Sequence, residues 1–452
     1  MLNFRMLNSS KPNMTHKKYN YFKLLKTALG YSIIVIVIGL TTTSVFCLTI
    51  NQGLYPDTFV NKVYAAEIHT VLLRSADWEL SIPVIDAGST QQLELRFDDL
   101  SVSQRSYGYI LVLCDANWKK SELSPQEYLS GFGQGIIRES ASSFNTTYDY
   151  RHYRLVFPEE DCLPILSGNY ALVVYDQEYP DKIMLTRRFY VTEQTVRIEA
   201  RIKQPAYGNF KETGQQIEFT VLHDDRQIRD PLNEVSAVVI QNNRDDKSLT
   251  IAKPFSILPG RLEYTDPEKG IFPGGNEFRS LDIKSMKYQT ENMAAIDFQN
   301  PYYHIFMKPD ENRGNKPYFS KIDLNGSYFI DREKSDDKHT EADYVFVHFN
   351  LSQLPIYEGE EVYVNGGFCD WENHESNKMK YNTAKSCFEL TLLLKQGLYD
   401  YCFMKADTQT GQINEYELEG SHYETENDYA IFIYFHDRNK KHDRIIGYLS
   451  IK

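Results

Sequence analysis

The chain has 452 residues, of which 42% are hydrophobic, 13% aromatic and 25% charged, a globular balance with room for about two to four domains. Residues 1–50 hold six basic residues and no acid, so the net charge of −13 hides a remainder of 43 basic against 62 acidic groups, or −19. A body this acidic repels phosphate backbones and suits an anionic membrane surface poorly, which excludes nucleic acid as an expected partner. The 33 Tyr and 25 Phe favour pleated, half-buried surfaces and tilt the expectation towards β structure.

In chain order, Arg5, Lys11, Lys17, Lys18, Lys23 and Lys26 lead into the apolar run Ile33–Leu40. This is the pattern of an export signal. The apolar run is short of the roughly 20 residues that a stable span needs, so both a cleaved signal peptide and a retained signal anchor stay open for residues 1–50. Phe46 precedes Cys47 where lipid attachment wants a small residue, which disfavours a lipoprotein. No cysteine pair has C-x-x-C spacing. A disulfide of Cys369 with Cys387 or Cys402 stays open beside the reading of buried free thiols.

Beyond the leader, short alternating segments alternate with turn residues. Leu93–Phe97, Tyr109–Leu113, Tyr153–Phe157, Tyr170–Tyr175 and Arg187–Val191 read as strands of a first immunoglobulin-like sandwich over residues 66–195. Ser124 before Pro125 predicts one helical turn. A middle β-rich domain over 196–330 holds Ile217–Val221, Ala237–Ile240 and Tyr302–Met307, with a long loop within Asp282–Asn300 and a turn at Asp323–Gly326. Asp331–Thr340 has no hydrophobic period and reads as a linker or exposed loop. Tyr344–Phe349, Val362–Phe368, Phe388–Leu394, Tyr399–Phe403, Tyr429–Phe435 and Arg444–Leu449 then fill a C-terminal sandwich over 343–452. The fold class is all-β: tandem immunoglobulin-like or early-set sandwiches behind a signal or anchor segment.

No nucleophile elbow, zincin motif or P-loop occurs, and the chain is read as a non-enzymatic binding protein without cofactor or metal. Gly131–Gly135 lacks a strand–helix setting and reads as a flexible loop. Asp98 and Asp99 would face opposite sides of a strand and read as solvated acids. Glu277 and Arg279 fit a same-face ion pair. Arg187 and Arg188 put one guanidinium on each face, one for a buried carboxylate and the other for a partner.

Cys114–Leu123, Glu127–Phe132, Ser143–Thr146, Ser167–Tyr170, Thr186–Phe189, Gln241–Arg244, Gly275–Arg279 and Leu394–Tyr401 together resemble, in order, segments of type IX secretion system plug proteins. The resemblance implies a periplasmic or outer-membrane-associated protein that plugs a large outer-membrane β-barrel translocon from the periplasmic side. It marks Asp115, Trp118, Phe132, Asn145, Arg187, Arg188, Asn276, Glu277, Arg279 and Trp371 as family-motif or interface positions. Leu113 and Asn117 stand where family members often have a His and an acid, which weakens a metal reading there. Val364–Trp371 and Gly397–Tyr401 also look like a glycogen-binding early-set module. That implies an alternative, a carbohydrate-binding envelope protein with Trp371 as its sugar platform.

Overall fold

The computed structural model describes residues 56–452 apart from 102–103, 207, 225, 353–358 and 438–440. The expected signal or anchor, and Cys47 with it, lies outside the described residues. Residues Pro56–Lys452 form one compact unit, built of three β-sandwiches.

In the first, one sheet runs Lys62–Val63, Ile183–Thr192, Gly168–Asp176, Tyr107–Cys114, Gln134–Ile137. Val84–Asp86 adds to it in parallel beside Ile183–Thr192. The facing sheet runs Ile68–Ser75, Leu93–Asp99, Arg151–Phe157, Glu139–Ser142. Leu95, Phe97, Tyr153, Leu172 and Phe189 meet in the core between them. The aromatic content is spent here: Phe97 stacks on Tyr153 at 5.1 Å, with Tyr107 edge-on at 4.8 Å to Tyr153. The helical turn forms at Pro125–Tyr128, and Glu127 accepts from the Ser124 backbone at 2.8 Å, a capping box.

The second and third sandwiches do not follow the expected division at 196–330 and 343–452. Arg197–Lys203, Gly214–Leu222, Arg261–Tyr264, Ser256–Leu258 and Ile271–Pro273 make one sheet of the second. Its other sheet runs Ser248–Ile251, Val235–Gln241, Tyr429–Asp437, His442–Ile451. The last hairpin of the chain therefore belongs to the middle sandwich, and Tyr429, Ile431, Ile433 and Ile446 share its core with Phe219, Val239 and Leu262. Everything between Pro273 and Tyr429 is an insertion.

That insertion is the third sandwich. Arg279–Asp282 and Tyr328–Ile330, both placed in the middle domain by sequence, flank the long strand Gly397–Asp407, which also pairs Glu360–Asn365. The opposing sheet runs Met293–Gln299, Tyr302–Met307, Tyr344–Ser352, Cys387–Lys395, Lys380–Asn382. Alternation locates the strands, but the partners of Arg279–Asp282 and Val235–Gln241 are not local, because those pairings span well over a hundred residues.

Alternation also misled at one face. Leu93, Leu95 and Phe97 point into the first core, while Glu94, Arg96 and Asp98 lie on the outer face, which the third sandwich covers. Asp98 and Asp99 are strand residues, each 1% exposed, not solvated acids. Asp99 accepts the Tyr107 hydroxyl at 2.7 Å. Asp98 accepts from Lys395 Nζ at 2.6 Å and Tyr344 Oη at 2.7 Å on the third sandwich, and lies 2.7 Å from His152 Nδ1 on its own. Burial alone would raise the Asp98 carboxyl, but Lys395 and His152 outweigh it and hold it below the usual range. The Lys395 ammonium also sits 4.1 Å above the Tyr150 ring.

The supposed linker docks here too. Lys338–Glu341 is a helical turn, Lys338 pairs with Glu79 at 2.8 Å, and Thr340 is buried. Next to it, Asp343 accepts from the Thr147 backbone and hydroxyl at 2.8 and 2.7 Å.

Removing one partner of a buried pair strands the other charge. Lys395→Met is therefore expected to cost about 3–5 kcal/mol, read as a lowered urea midpoint. The double variant Asp98→Asn, Lys395→Met should recover most of that loss, and a double variant as unstable as the single one would refute the pairing.

Candidate functional site

The residues marked by the motifs gather mainly where the three sandwiches meet. Strand Ile183–Thr192 supplies adjacent arginines whose side chains leave on opposite faces. Arg187 pairs with Asp370 of the third sandwich at 3.2 Å. Arg188 pairs with Asp245 of the second at 3.0 Å and donates to the Phe59 carbonyl at 2.8 Å. Both thus anchor carboxylates inside the chain. Burial raises the Asp370 and Asp245 carboxyls against the pull of their arginines.

Trp118 lies beneath this pair of layers. The Arg188 guanidinium sits 4.4 Å over its ring, and Tyr190 meets it edge-on at 5.3 Å. Tyr190 in turn stacks on Phe432 of the second sandwich at 4.1 Å. Asp115 shapes the loop that presents Trp118, accepting from the Asn117 and Lys119 backbones at 2.9 and 2.8 Å. The following Ala116 N–H donates to Asp443 of the last hairpin at 2.8 Å.

Arg244, quoted in a motif but not expected as a site, is the centre of the second junction. Asn242 and Asn243 take φ of 53° and 52°, a left-handed conformation that Asn tolerates, and so turn the chain towards the third sandwich. Arg244 then pairs with Glu415 at 3.0 Å and Asp246 at 2.7 Å, with its side chain 3% exposed. Its guanidinium stacks 3.8 Å over Trp371. That covers a face of the ring that a sugar would need, so Trp371 serves as a packing surface between sandwiches. Gly326 closes on the same indole, where a Cβ would lie 2.5 Å from the ring.

The segment Gly275–Arg279 is the outgoing crossing from the second sandwich to the third. Residues 419–428 are the return crossing, and the two are stitched together. Asn276 donates to the Glu419 carbonyl at 2.7 Å, and His422 N–H donates to the Gly275 carbonyl at 2.8 Å. A Cβ on Gly274 would meet the His422 carbonyl at 1.9 Å, so only glycine lets the crossings touch. Glu277 and Arg279 do not pair with each other, contrary to expectation. Glu277 accepts from Tyr318 Oη at 2.6 Å and the Glu426 N–H at 3.1 Å, and burial raises its carboxyl. Arg279 binds Glu419 at 3.0 Å and Asp310 at 2.7 Å. Burial alone would raise Glu419, but Arg279 and Arg313 hold it low.

Phe132 stands apart, whereas Asn145 lies in the loop that meets the insertion, where the adjacent Phe144 N–H donates to the Thr340 carbonyl at 2.9 Å. Phe132 is 82% exposed beside a glycine pinned at its backbone against Asp161, so Gly131–Gly135 joins two short strands and is not a free loop. Asn145 makes an exposed left-handed turn, φ 57°. Among the described residues, Cys114, Cys162, Cys387 and Cys402 are buried free thiols and Cys369 is half-buried. No group of three metal-binding side chains occurs among them. An open polar groove of about 710 Å³ on the third sandwich is lined by Lys378, Lys380, Tyr381, Asn382, Glu389 and Thr391. Lys378 and Glu389 there are engaged by Glu361 and Lys385.

With that geometry in hand, residues 68–193, the first sandwich with Trp118, Arg187 and Arg188, match the model of the type 9 secretion system plug protein 1st domain. The chain belongs to the type IX secretion plug family. A hypothetical protein from Parabacteroides merdae, solved by crystallography, is 35% identical, with a TM-score of 0.83. The match covers 87% of this chain and 99% of that one. A Pseudomonas fluorescens alkylpurine DNA glycosylase, AlkC, solved bound to DNA containing an abasic site analog, is 11% identical at a TM-score of 0.18. It covers 28% of this chain and 30% of its own, a likeness that carries no argument. No curated protein matches. Membership of the plug family gives the chain a role in type IX secretion, a place in the cell envelope and association with a component of that system. Among the described residues, no helix is long and apolar enough to cross a membrane.

Two measurements probe the plug-family junction. Arg244→Ala takes the guanidinium from Glu415, which keeps Lys247 at 3.1 Å, and from the Trp371 ring; it is expected to cost about 1.5–3 kcal/mol, seen as a lower unfolding midpoint. Asp400 braces the turn below Trp371, accepting from the Gly326 N–H at 3.2 Å. Burial, then the neighbouring Asp323 charge, pushes its carboxyl from 3.8 up to about 7. Between those values the folded state holds the proton that the unfolded chain has lost, so this group's contribution to stability falls as pH rises through that window. The Tm of the wild type should therefore drop more from pH 5 to pH 8 than that of Asp400→Asn; equal drops would contradict the shift.

Proposed function

We propose that this plug-family chain is a non-enzymatic, rigid obstruction that closes the periplasmic opening of a large outer-membrane β-barrel translocon of type IX secretion. The observation that carries the reading is the joining of three sandwiches into one compact unit by ion pairs placed at each contact. Arg188 with Asp245 ties the first to the second, Arg187 with Asp370 the first to the third, and Arg244 with Glu415 the second to the third. A plug must resist deformation, and charges fixed between buried surfaces resist sliding. The same commitments support a role without catalysis, because the arginines and acids of the junction hold one another and not a substrate. Residues 1–50 supply the export signal or anchor that this location needs.

Affinity purification of the tagged full chain from detergent-solubilised envelopes, read by mass spectrometry, tests the reading. Recovery of a very large outer-membrane barrel is expected. Recovery of abundant envelope proteins alone would reject it.

A further inference from the structure

One edge of the third sandwich differs from the rest of the surface. Strand Arg279–Asp282 is the outermost strand of its sheet, and two segments are fastened along it. Asn292 donates to the Ser280 carbonyl and Lys321 to the Ser280 hydroxyl, both at 2.7 Å. The two segments thus share one anchor residue. From them project Tyr288, 64% exposed, Phe319, 78% exposed, and Ile322, 96% exposed.

Such exposure on a slack loop would mean little, but the loop around Phe319 and Ile322 is held at both ends. Arg313 N–H donates to the Leu418 carbonyl at 2.9 Å, Tyr318 to Glu277 at 2.6 Å, and the Phe278 N–H to Asp323. The apolar tips are presented, not merely uncovered.

Charge around the tips runs against the chain. Residues 283–290 and 312–322 contain Lys284, Lys287, Arg313, Lys316 and Lys321, and their acids stand only at the ends, as Asp282, Glu291, Glu311 and Asp323. Glu311 pairs with Lys316, Glu419 with Arg313, and Asp282 and Asp331 with Lys284. Lys287 and Lys321 form no ion pair with a described residue. Protruding aromatic and aliphatic tips among cations fit the boundary between headgroups and acyl chains of an anionic leaflet. A protein pocket would be met by a packed patch around a central anchor, whereas Ile322 stands almost bare. The acidic remainder of the body opposes such a contact, but screening beyond about 8 Å at physiological salt confines that opposition to groups near the edge.

We propose that this edge is a peripheral membrane contact, in which Phe319 and Ile322, aided by Tyr288, enter an anionic phospholipid leaflet while Lys287 and Lys321 face its headgroups. The contact is weak and reversible, an orienting device on an envelope protein.

The test places an indole at the tip of the full chain with Phe319→Trp. Fluorescence is read against vesicles of phosphatidylethanolamine and phosphatidylglycerol carrying brominated acyl chains, with the wild-type chain as background. The readout is local to position 319, so binding through residues 1–50 does not mimic it. Quenching above the wild-type level is expected. It should vanish on phosphatidylcholine vesicles, and partition should weaken at least about fivefold in Lys287→Glu, with an unchanged unfolding midpoint. An unquenched indole on a chain that co-sediments with vesicles overturns the proposal. So does a Phe319→Ser, Ile322→Ser variant that partitions as before yet no longer recovers the barrel from envelopes, since that makes the edge a protein contact. If the wild type recovers no barrel at all, the plugging reading fails while the quenching result stands by itself.

Discussion

Pairing of Val235–Gln241 with Tyr429–Asp437 joins segments separated by the whole third sandwich, and the architecture depends on that closure. It supplies half the core of the second sandwich and places the outgoing and return crossings side by side. It also brings the final hairpin against the first sandwich, where Glu193 receives Arg444 at 2.9 Å and Tyr434 donates to Asn169 at 2.8 Å. Each sandwich therefore touches both others, and the junction is a triangle, not a string of beads.

Within the triangle, cations and carboxylates do work that larger apolar contacts would do elsewhere. An isolated buried charge is costly, whereas a paired one tolerates only a narrow geometry. The choice of charge over hydrocarbon sets register between rigid bodies. It also accounts for the adjacent arginines at 187 and 188: one strand, through its twofold side-chain period, addresses two neighbours at once.

The strands themselves were largely legible. Tyr302–Met307 was bounded as found, and Leu93–Phe97, Tyr170–Tyr175 and Phe388–Leu394 all lie inside observed strands. Their identity is local, carried by alternation and β-branched or aromatic residues. What stayed hidden was nonlocal. Nothing in the neighbourhood of Asp98 announces Lys395, 297 positions away, and an acidic pair on a strand reads as solvated until another body covers its face. The same reason hid the insertion, because a turn-rich crossing such as Gly274–Phe278 looks like any interdomain loop. Of the marked residues, Arg187 and Arg188 reach the junction from a strand, Asn276, Glu277 and Arg279 lie along the outgoing crossing, and Trp118 and Trp371 are large side chains in turns that carry asparagine or glycine. Arg244 could have been found by that signal, since it directly follows Asn242–Asn243.

The inserted arrangement also bears on how the molecule comes into being. A chain delivered amino end first can complete its first sandwich early, and the third can close by itself. Strand Val235–Gln241 must wait beside Ser248–Ile251 with its other flank unpaired until the last residues arrive. An unpaired apolar strand is a template for unwanted association, and contacts of such long span form late. The step of assembly most exposed to error is thus the last one, and a chaperone guarding this protein would be needed at the middle of the sequence until the end of it has emerged.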